Sequence, residues 1–462
     1  MGGRRIAIIG SGQSGLVAAH GLVRAGHEVK VYSDRSADAW LNESRPTGTA
    51  ARFWPALAYE RDLGLAHWEA AAPAIRGIHL TFSPKVGNRL LTMTAKVNVA
   101  GDRAGGQAVD LRLQSHRWMT DLGDRVVVEK VTPDRLDAIA GEHELVLVAT
   151  GRGPLAELFA RNAERSVYDK PQRKLTMAIV TACPLAISGV PFLPAKFNLF
   201  GDIGEAFWIP YHHRDHGPSW CLLFEAKAGG AMDRFDDCKT GREVVARSKQ
   251  VIDELMPWDS AWIKDAELAD DNGWLMGGVA PTVRDPVGRL PSGRVVMPLG
   301  DTAISMDPIA GQGANLGNKA AHHIVDAITA APPDVAFDAT WIAATFEAFW
   351  ADHGAATVKF NNLFLEPMSP AGQMLLVSQY GTNGLGDSAR QRLADELLQN
   401  FADPRLYTDA FLDKRVARTT IAKLAGASPR KLFAGGMMKI GAKQLARLFG
   451  KQPVHPSATA AE

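Results

Sequence analysis

Arg4-Arg5-Ile6-Ala7-Ile8-Ile9-Gly10-Ser11-Gly12-Gln13-Ser14-Gly15 is the stretch whose reading decides the fold. An apolar run of strand length enters a glycine turn. Leu16, Val17, Ala18, Leu22 and Val23 then recur at helical spacing, and Glu28 to Tyr32 is a second strand-like run. Strand, glycine turn, helix, strand is a βαβ unit whose turn can hold a pyrophosphate. Gly10 lets the strand turn tightly. Gly12 removes the side chain that would block the phosphates, and Gly15 lets helix and sheet pack closely. Backbone N–H groups from Ser11 to Ser14 then face the anion, with the helix dipole behind them. Most folds of this type end the second strand on an acid. Here Ser33 stands at that end, with Asp34 and Arg35 just after. Ser33 can hydrogen-bond a ribose, more weakly than a carboxylate would.

The 462 residues are 46% hydrophobic and 22% charged, ordinary for a globular chain of two or three domains. Lys plus Arg number 51 against 50 acids, so charge gives no reason to expect a nucleic-acid partner. Cys183, Cys221 and Cys238 have neither metal spacing nor a disulfide pattern, which fits a reducing cytoplasm. No leader pattern and no long apolar run is read, so a cytoplasmic location is expected.

Residues 36–55 read as a polar loop leaving the nucleotide sheet. Residues 77–99 alternate like strands of another sheet, and Arg112 to Leu122 reads as a helix. Leu145 to Val148 is a buried strand running into Ala149-Thr150-Gly151, where the glycine permits a sharp exit beside a cofactor. From 175 to 281 the period is mostly two, an inserted sheet. Arg294 to Leu299 returns as a buried strand, and residues 337–460 read as mostly helical. The expected division is α/β. Residues 1–165 form a Rossmann-like domain with an excursion into the other sheet at about 70–110. Residues 166–283 form a substrate-binding β-sheet domain, 284–335 complete the first domain, and 336–462 form a helical C-terminal region.

A second glycine motif extends the first. Gly300-Asp301 follows a strand, and Gly311-Gln312-Gly313-Ala314-Asn315 opens a helix. Asp301 is placed to accept hydrogen bonds from a ribityl chain. The helix start at Gly313 can stabilise negative charge on a reduced flavin. The pair implies FAD rather than NAD.

With these motifs the chain resembles the FAD-dependent aromatic hydroxylase superfamily, of the para-hydroxybenzoate hydroxylase type. Within it, the chain resembles the epoxidase component of two-component styrene and indole monooxygenases. The matching blocks are Gly10 to Gly15 with Val31 to Arg35; Asp169-Lys170-Pro171-Gln172-Arg173; Gly277 to Asp285; and Gly300-Asp301 through Asp307-Pro308-Ile309-Ala310-Gly311-Gln312-Gly313-Ala314-Asn315. The resemblance covers roughly residues 4–412 and includes the missing acid at Ser33. It implies that Arg45 and Arg112 lie near the flavin and that Pro308 with Gly313 to Asn315 covers the isoalloxazine. It implies reduced FAD as co-substrate, delivered by a separate NADH-dependent flavin reductase. Oxygen adds at flavin C4a, and the hydroperoxide passes one oxygen to a small apolar aromatic alkene, indole or thioether. A homodimer is also expected. The cofactor carries the hard step, so no catalytic side chain is nominated. Gly48 stands where the family's styrene enzymes carry Asn, and the loop from Thr49 to Arg52 also differs. With Arg45 and Pro308, the small Gly48 and Ala50 are the pocket candidates, and they would admit a bulkier substrate than styrene.

Three other readings compete. Single-component, NAD(P)H-dependent aromatic hydroxylases carry an Asp-Gly motif in mid-chain, and this sequence has no Asp-Gly dipeptide. Flavin halogenases carry W-x-W-x-I-P, and the two Trp positions are Glu205 and Phe207 here. A non-enzymatic binding protein on this scaffold would lose the flavin-facing segment, and 300–315 is intact. His212-His213-Arg214-Asp215-His216 reads as a polar hairpin tip rather than a metal cluster. From Lys414 to Lys451 the chain holds ten Lys or Arg and no acid. A solvated helical extension fits this tail better than weak contact with an anionic membrane surface or a partner. The tail is expected to be dispensable for oxygen transfer.

Overall fold

The computed structural model describes residues 3–46, 48, 51–97 and 105–448. The opening strand, Arg5–Ile9, lies inside a six-stranded sheet. Its neighbours are Glu28–Ser33 on one side and Leu145–Val148 on the other, both parallel, with Ile6 opposite Val29 and Leu145. Val295–Pro298 pairs with Leu145–Val148 and Val126–Val128 with Glu28–Ser33, again parallel. A parallel sheet is covered on both faces, which is why the central strands are mostly apolar and buried. Ile6 and Ile8 enter the core beneath helices Gln13–Arg24 and Gly313–Ala330, while Ala7 and Ile9 pack on the other side with Leu136, Ile139 and Phe159.

The second sheet joins distant parts of the chain. Strands Lys174–Thr181, Gly217–Ala226, Gly204–His213 and Pro194–Phe200 are antiparallel neighbours. Pro194–Phe200 then pairs in parallel with Gly77–Ser83, which carries Leu91–Lys96 on its far side. The alternation along these strands divides two cores. Trp208, Trp220, Leu222 and Phe224 pack beneath helix Gly241–Leu255. Phe207, Ile209, Cys221 and Leu223 face the other way, toward Ile309, Ala310 and the C-terminal helices.

Two expectations need correction. The supposed loop after Ser33 contains a helix, Ala37–Glu43. Ser36 caps it by accepting from the Ala39 N–H, and buried Trp40 donates to Ser11 Oγ at 2.8 Å. A cap and one long-range hydrogen bond outweigh a composition that reads as loop. The tail, as far as it is described, is helical as expected but packs on the rest of the chain rather than extending into solvent. Helices Lys414–Ala425 and Pro429–Leu448 pack on helices Pro370–Ser378 and Ala389–Ala402. Ala417, Ile421, Ala425 and Leu432 share a core with Leu375, Leu393 and Leu397, and Ile440 packs on Leu91 and Met93. Arg390 donates to the Leu432 carbonyl at 2.6 Å. Among the described residues no helix is long and apolar enough to cross a membrane.

Removing everything after Phe411 would expose that core, and each apolar side chain so exposed is worth about 1.5–3 kcal/mol. The truncated chain should therefore melt well below the full chain in a thermal scan. Equal melting temperatures would restore the reading of a dispensable tail.

Candidate active site

The glycine turn has the geometry its spacing predicts. Gly10 has φ +113°, and a Cβ there would lie 2.4 Å from the Ala149 carbonyl oxygen. A Cβ on Gly15 would lie 2.5 Å from the Gly10 carbonyl oxygen. Gly12, by contrast, faces open space: a Cβ there would meet nothing within 4 Å. It also caps helix Gln13–Arg24 without a side chain. Uncapped N–H groups beside open space suit an anion.

The second glycine motif meets the first at close range. A Cβ on Gly300, which has φ +63°, would lie 2.7 Å from Ser14 Oγ, and one on Gly317 would lie 2.2 Å from it. Gln13 donates to Asn318 at 2.9 Å. Asn318 donates to Glu60, which pairs with Arg52 at 2.7 Å, and both ions are buried. Burial pushes the Glu60 carboxyl up, against the pull of Arg52 and Asn318.

Beside this crossing, Asp301 has an accessible carboxyl at a place surrounded by protein. Desolvation raises it above the usual carboxylate range, opposed by Arg152 and Arg284. A Cβ on Gly313 would lie 3.8 Å from Asp301 Oδ1. Thr150 Oγ1 is buried without a hydrogen-bond partner, and the Gly151 carbonyl accepts from Thr302 at 3.0 Å. An open glycine turn, an accessible acid and an orphaned hydroxyl on one side of the sheet fit a flavin dinucleotide. Asn315 has another task. Its side chain donates to the Ala51 and Gly311 carbonyls and accepts from the Phe53 N–H, all within 2.9 Å. It ties segment 51–53 to the helix start.

Next to the Pro308–Gly311 turn lies a recess open to solvent on one side. Phe53, Trp54, Phe197, Phe207 and Phe401 supply aromatic walls, and Leu223 and Leu398 fill between them. Among the described lining residues none is charged and Gln399 alone is polar. Phe207 is reached from strand alternation. Phe401 and Leu398, from helix Ala389–Ala402, carry no sequence signal that separates pocket wall from helix core. That helix end is held over the turn by Gln312, which donates to the Phe401 carbonyl, and by Lys319, which donates to Ala402. Burial lowers the Lys319 ammonium to about 8.

Other expected residues sit differently. Ser33, expected at the ribose, has a wholly buried side chain 2.6 Å from Ser11 Oγ, and it donates to the Arg35 carbonyl. It shapes the strand end, while Asp34 and Arg35 pair at 2.9 Å on the surface. Arg112, expected near the flavin, is fully buried. Its guanidinium is taken by Asp110 at 2.7 Å and Asp270 at 2.8 Å, and it touches His213 at 3.1 Å. Desolvation would raise Asp270, but His213 and Arg112 outweigh it and hold the carboxylate well below its usual range. His213, Asp215 and Asp270 could bring ligand atoms within 4.8 Å of one another, yet Arg112 already neutralises Asp270. Arg45 lies over the Trp274 ring, 4.6 Å from its centre. Gly48 has nothing within 4 Å of a Cβ position, and Ala50 and Thr49 lie outside the described residues. Glu205, at a halogenase Trp position, is buried against Arg173 at 2.7 Å.

Comparison with known proteins agrees with this geometry. Residues 151–261 match the styrene monooxygenase A substrate-binding domain. Styrene monooxygenase StyA of Pseudomonas fluorescens is 26% identical over 422 residues, 88% of this chain and 95% of the relative. A StyA from Pseudomonas sp is 28% identical over 331 residues, covering 69% and 75%. Among solved structures, the flavin-dependent brominase Bmp2 superposes with a TM-score of 0.53 at 15% identity, over 96% of this chain and 100% of its own. That last likeness is one of fold. Fold, site and relatives together define an FAD-dependent monooxygenase. Within that class the chain is styrene monooxygenase-like.

The glycines separate folding from cofactor binding. Gly15→Ala should cost about 1–3 kcal/mol of stability, because backbone must move. Gly12→Ala should melt like the parent but bind FAD more weakly in a fluorescence titration. Unchanged FAD affinity in Gly12→Ala would remove the pyrophosphate from this turn.

Proposed function

We propose that the chain is the oxygenase of a two-component system. It takes reduced FAD from a separate NADH-dependent flavin reductase and uses O2 to transfer one oxygen atom to a small apolar aromatic alkene, indole or thioether. The observation that carries this reading is the recess beside Pro308–Gly311, with aromatic walls and no charged lining residue among those described. Such a recess selects by apolar burial and shape.

Bound reduced FAD would supply the two electrons that activate O2; one atom of that O2 goes to the substrate and the other leaves as water. The chain's residues do the rest. In this reading residues 1–165 and 284–335 form the FAD-binding domain, 166–283 the substrate sheet and 336–462 the helical C-terminal region. Gly10 to Gly15 hold the pyrophosphate, with Asp34 and Arg35 at the adenosine. Asp301 accepts hydrogen bonds from the ribityl hydroxyls. The N-terminus of helix Gly313–Ala330 turns its N–H groups and dipole toward the negative charge of the reduced ring. Phe53, Phe207 and Phe401 exclude water and orient the substrate, which is the protein's main contribution when the cofactor does the chemistry. The StyA relatives support the dependence on a reductase, as does the lack of an Asp-Gly dipeptide.

Alone with NADH, the chain should oxidise almost none of it, with or without substrate. Given chemically reduced FAD and labelled O2, it should place one labelled atom in a styrene, indole or thioether product, read by mass spectrometry. Rapid substrate-dependent NADH oxidation by the pure chain would replace this reading with a self-contained hydroxylase.

A further inference from the structure

Behind the Pro308–Gly311 turn lies a group of buried acids that the reaction above does not use. Glu205 and Glu225 stand directly opposite each other on neighbouring antiparallel strands, and both are buried. Like charges in that arrangement repel. Glu205 is relieved by Arg173, which reaches it at 2.7 and 3.2 Å. Glu225 is not. It is fully buried, and neither of its carboxyl oxygens has a conventional donor. The group it meets is Asp307, also fully buried. Asp307 Oδ1 accepts from the Ile309 N–H at 3.2 Å, which starts the Pro308–Ala310 turn, while Oδ2 has no donor.

Two carboxylates that can only accept hydrogen bonds cannot satisfy each other. One proton between them resolves both at once, as in other buried acid pairs. We propose that Glu225 and Asp307 share one proton, and that this proton locks the Pro308–Gly311 turn in the position that forms the flavin-facing wall of the recess. The proposal rests on the reading of that turn as flavin-facing, and the test separates the two.

The surroundings agree with a retained proton. Burial drives both carboxyls above their ordinary range, and the charge of Asp307 pushes Glu225 further. Arg173 is the cation that acts on both, and it is already paired with Glu205. Lys227 acts on Glu205, and the charge of Asp307 in turn raises the Tyr168 hydroxyl, which donates to Glu366. A carboxyl raised by folding contributes stability that is complete at acid pH and is lost as pH rises through the raised value. Without the proton, two adjacent anions would push the turn away from the strand. Glu225 and Asp307 are thus positioning residues; they act through the turn.

The test begins with the full chain without flavin. Its infrared spectrum at neutral pH should contain a carboxylic acid C=O band that both Glu225→Gln and Asp307→Asn remove and that alkali abolishes. Glu60 and Asp301 are also raised, so the difference between parent and variant is the quantity read. In the parent, melting temperature and FAD affinity should both fall at alkaline pH. Glu225→Gln keeps a permanent donor and should hold its FAD affinity there, exceeding the parent by up to about tenfold for each pH unit past the pair's titration. If Glu225→Gln fails to fold, Asp307→Asn carries the same comparison, since its amide can donate to Glu225. Identical spectra for parent and variants, or an unchanged alkaline decline in the variant, would overturn the shared proton. A band removed by Glu225→Gln with an FAD affinity flat in pH would overturn the turn's role in holding flavin and leave the proton in place.

Discussion

The two glycine motifs meet where Ser14 fits between Gly300 and Gly317. The three residues come from the first glycine turn, the strand end near 300 and the helix that follows. Only glycine at the two later positions lets the segments approach this far. The contact brings two motifs, some 300 residues apart in sequence, to one side of one sheet. In the proposed reading the glycine turn, Asp301 and the Pro308–Gly311 turn can then address a single extended cofactor. The buried relay from Gln13 through Asn318 and Glu60 to Arg52 runs along the same crossing. Such a relay stabilises little beyond its desolvation cost, but removing one member would leave a buried charge uncompensated.

Charge elsewhere is handled in the same way. Arg112 with Asp270, Arg173 with Glu205, and Lys196 with Asp259 each join separate elements, and Arg112 is held as well by its own helix cap, Asp110. None of these charged residues lines the recess, whose described walls are apolar apart from Gln399. In the proposed reading the Pro308–Gly311 turn divides a polar side for the cofactor from an apolar side for the substrate.

What can be read from the sequence is local. Strand, turn and helix at residues 5–24 declare themselves by period and by glycine, because both act over a few residues. The alternation from Phe207 to Tyr211 places Phe207 on a pocket face for the same reason. Residues whose partners lie far along the chain mislead. Nothing local announces that Ser33 meets Ser11 or that Arg112 is paired with Asp270, 158 positions away. The helix at 37–43 depends on Trp40 reaching Ser11, which no local pattern announces. A cap residue such as Ser36 is the one cue that points to it.

The recess draws its walls from segments near 51–54, 75–78, 195–223, 308–311 and 398–402. During synthesis, then, the aromatic faces of the second sheet emerge long before the helix that covers them. Phe197, Phe207 and Leu223 must wait, apolar and unprotected, for almost 200 further residues to leave the ribosome. The parallel pairing of 77–83 with 194–200 adds a slow, non-local closure to that wait. The feature that makes the pocket selective also makes the nascent chain prone to association, and its yield in a cell should depend on chaperones that shield such surfaces.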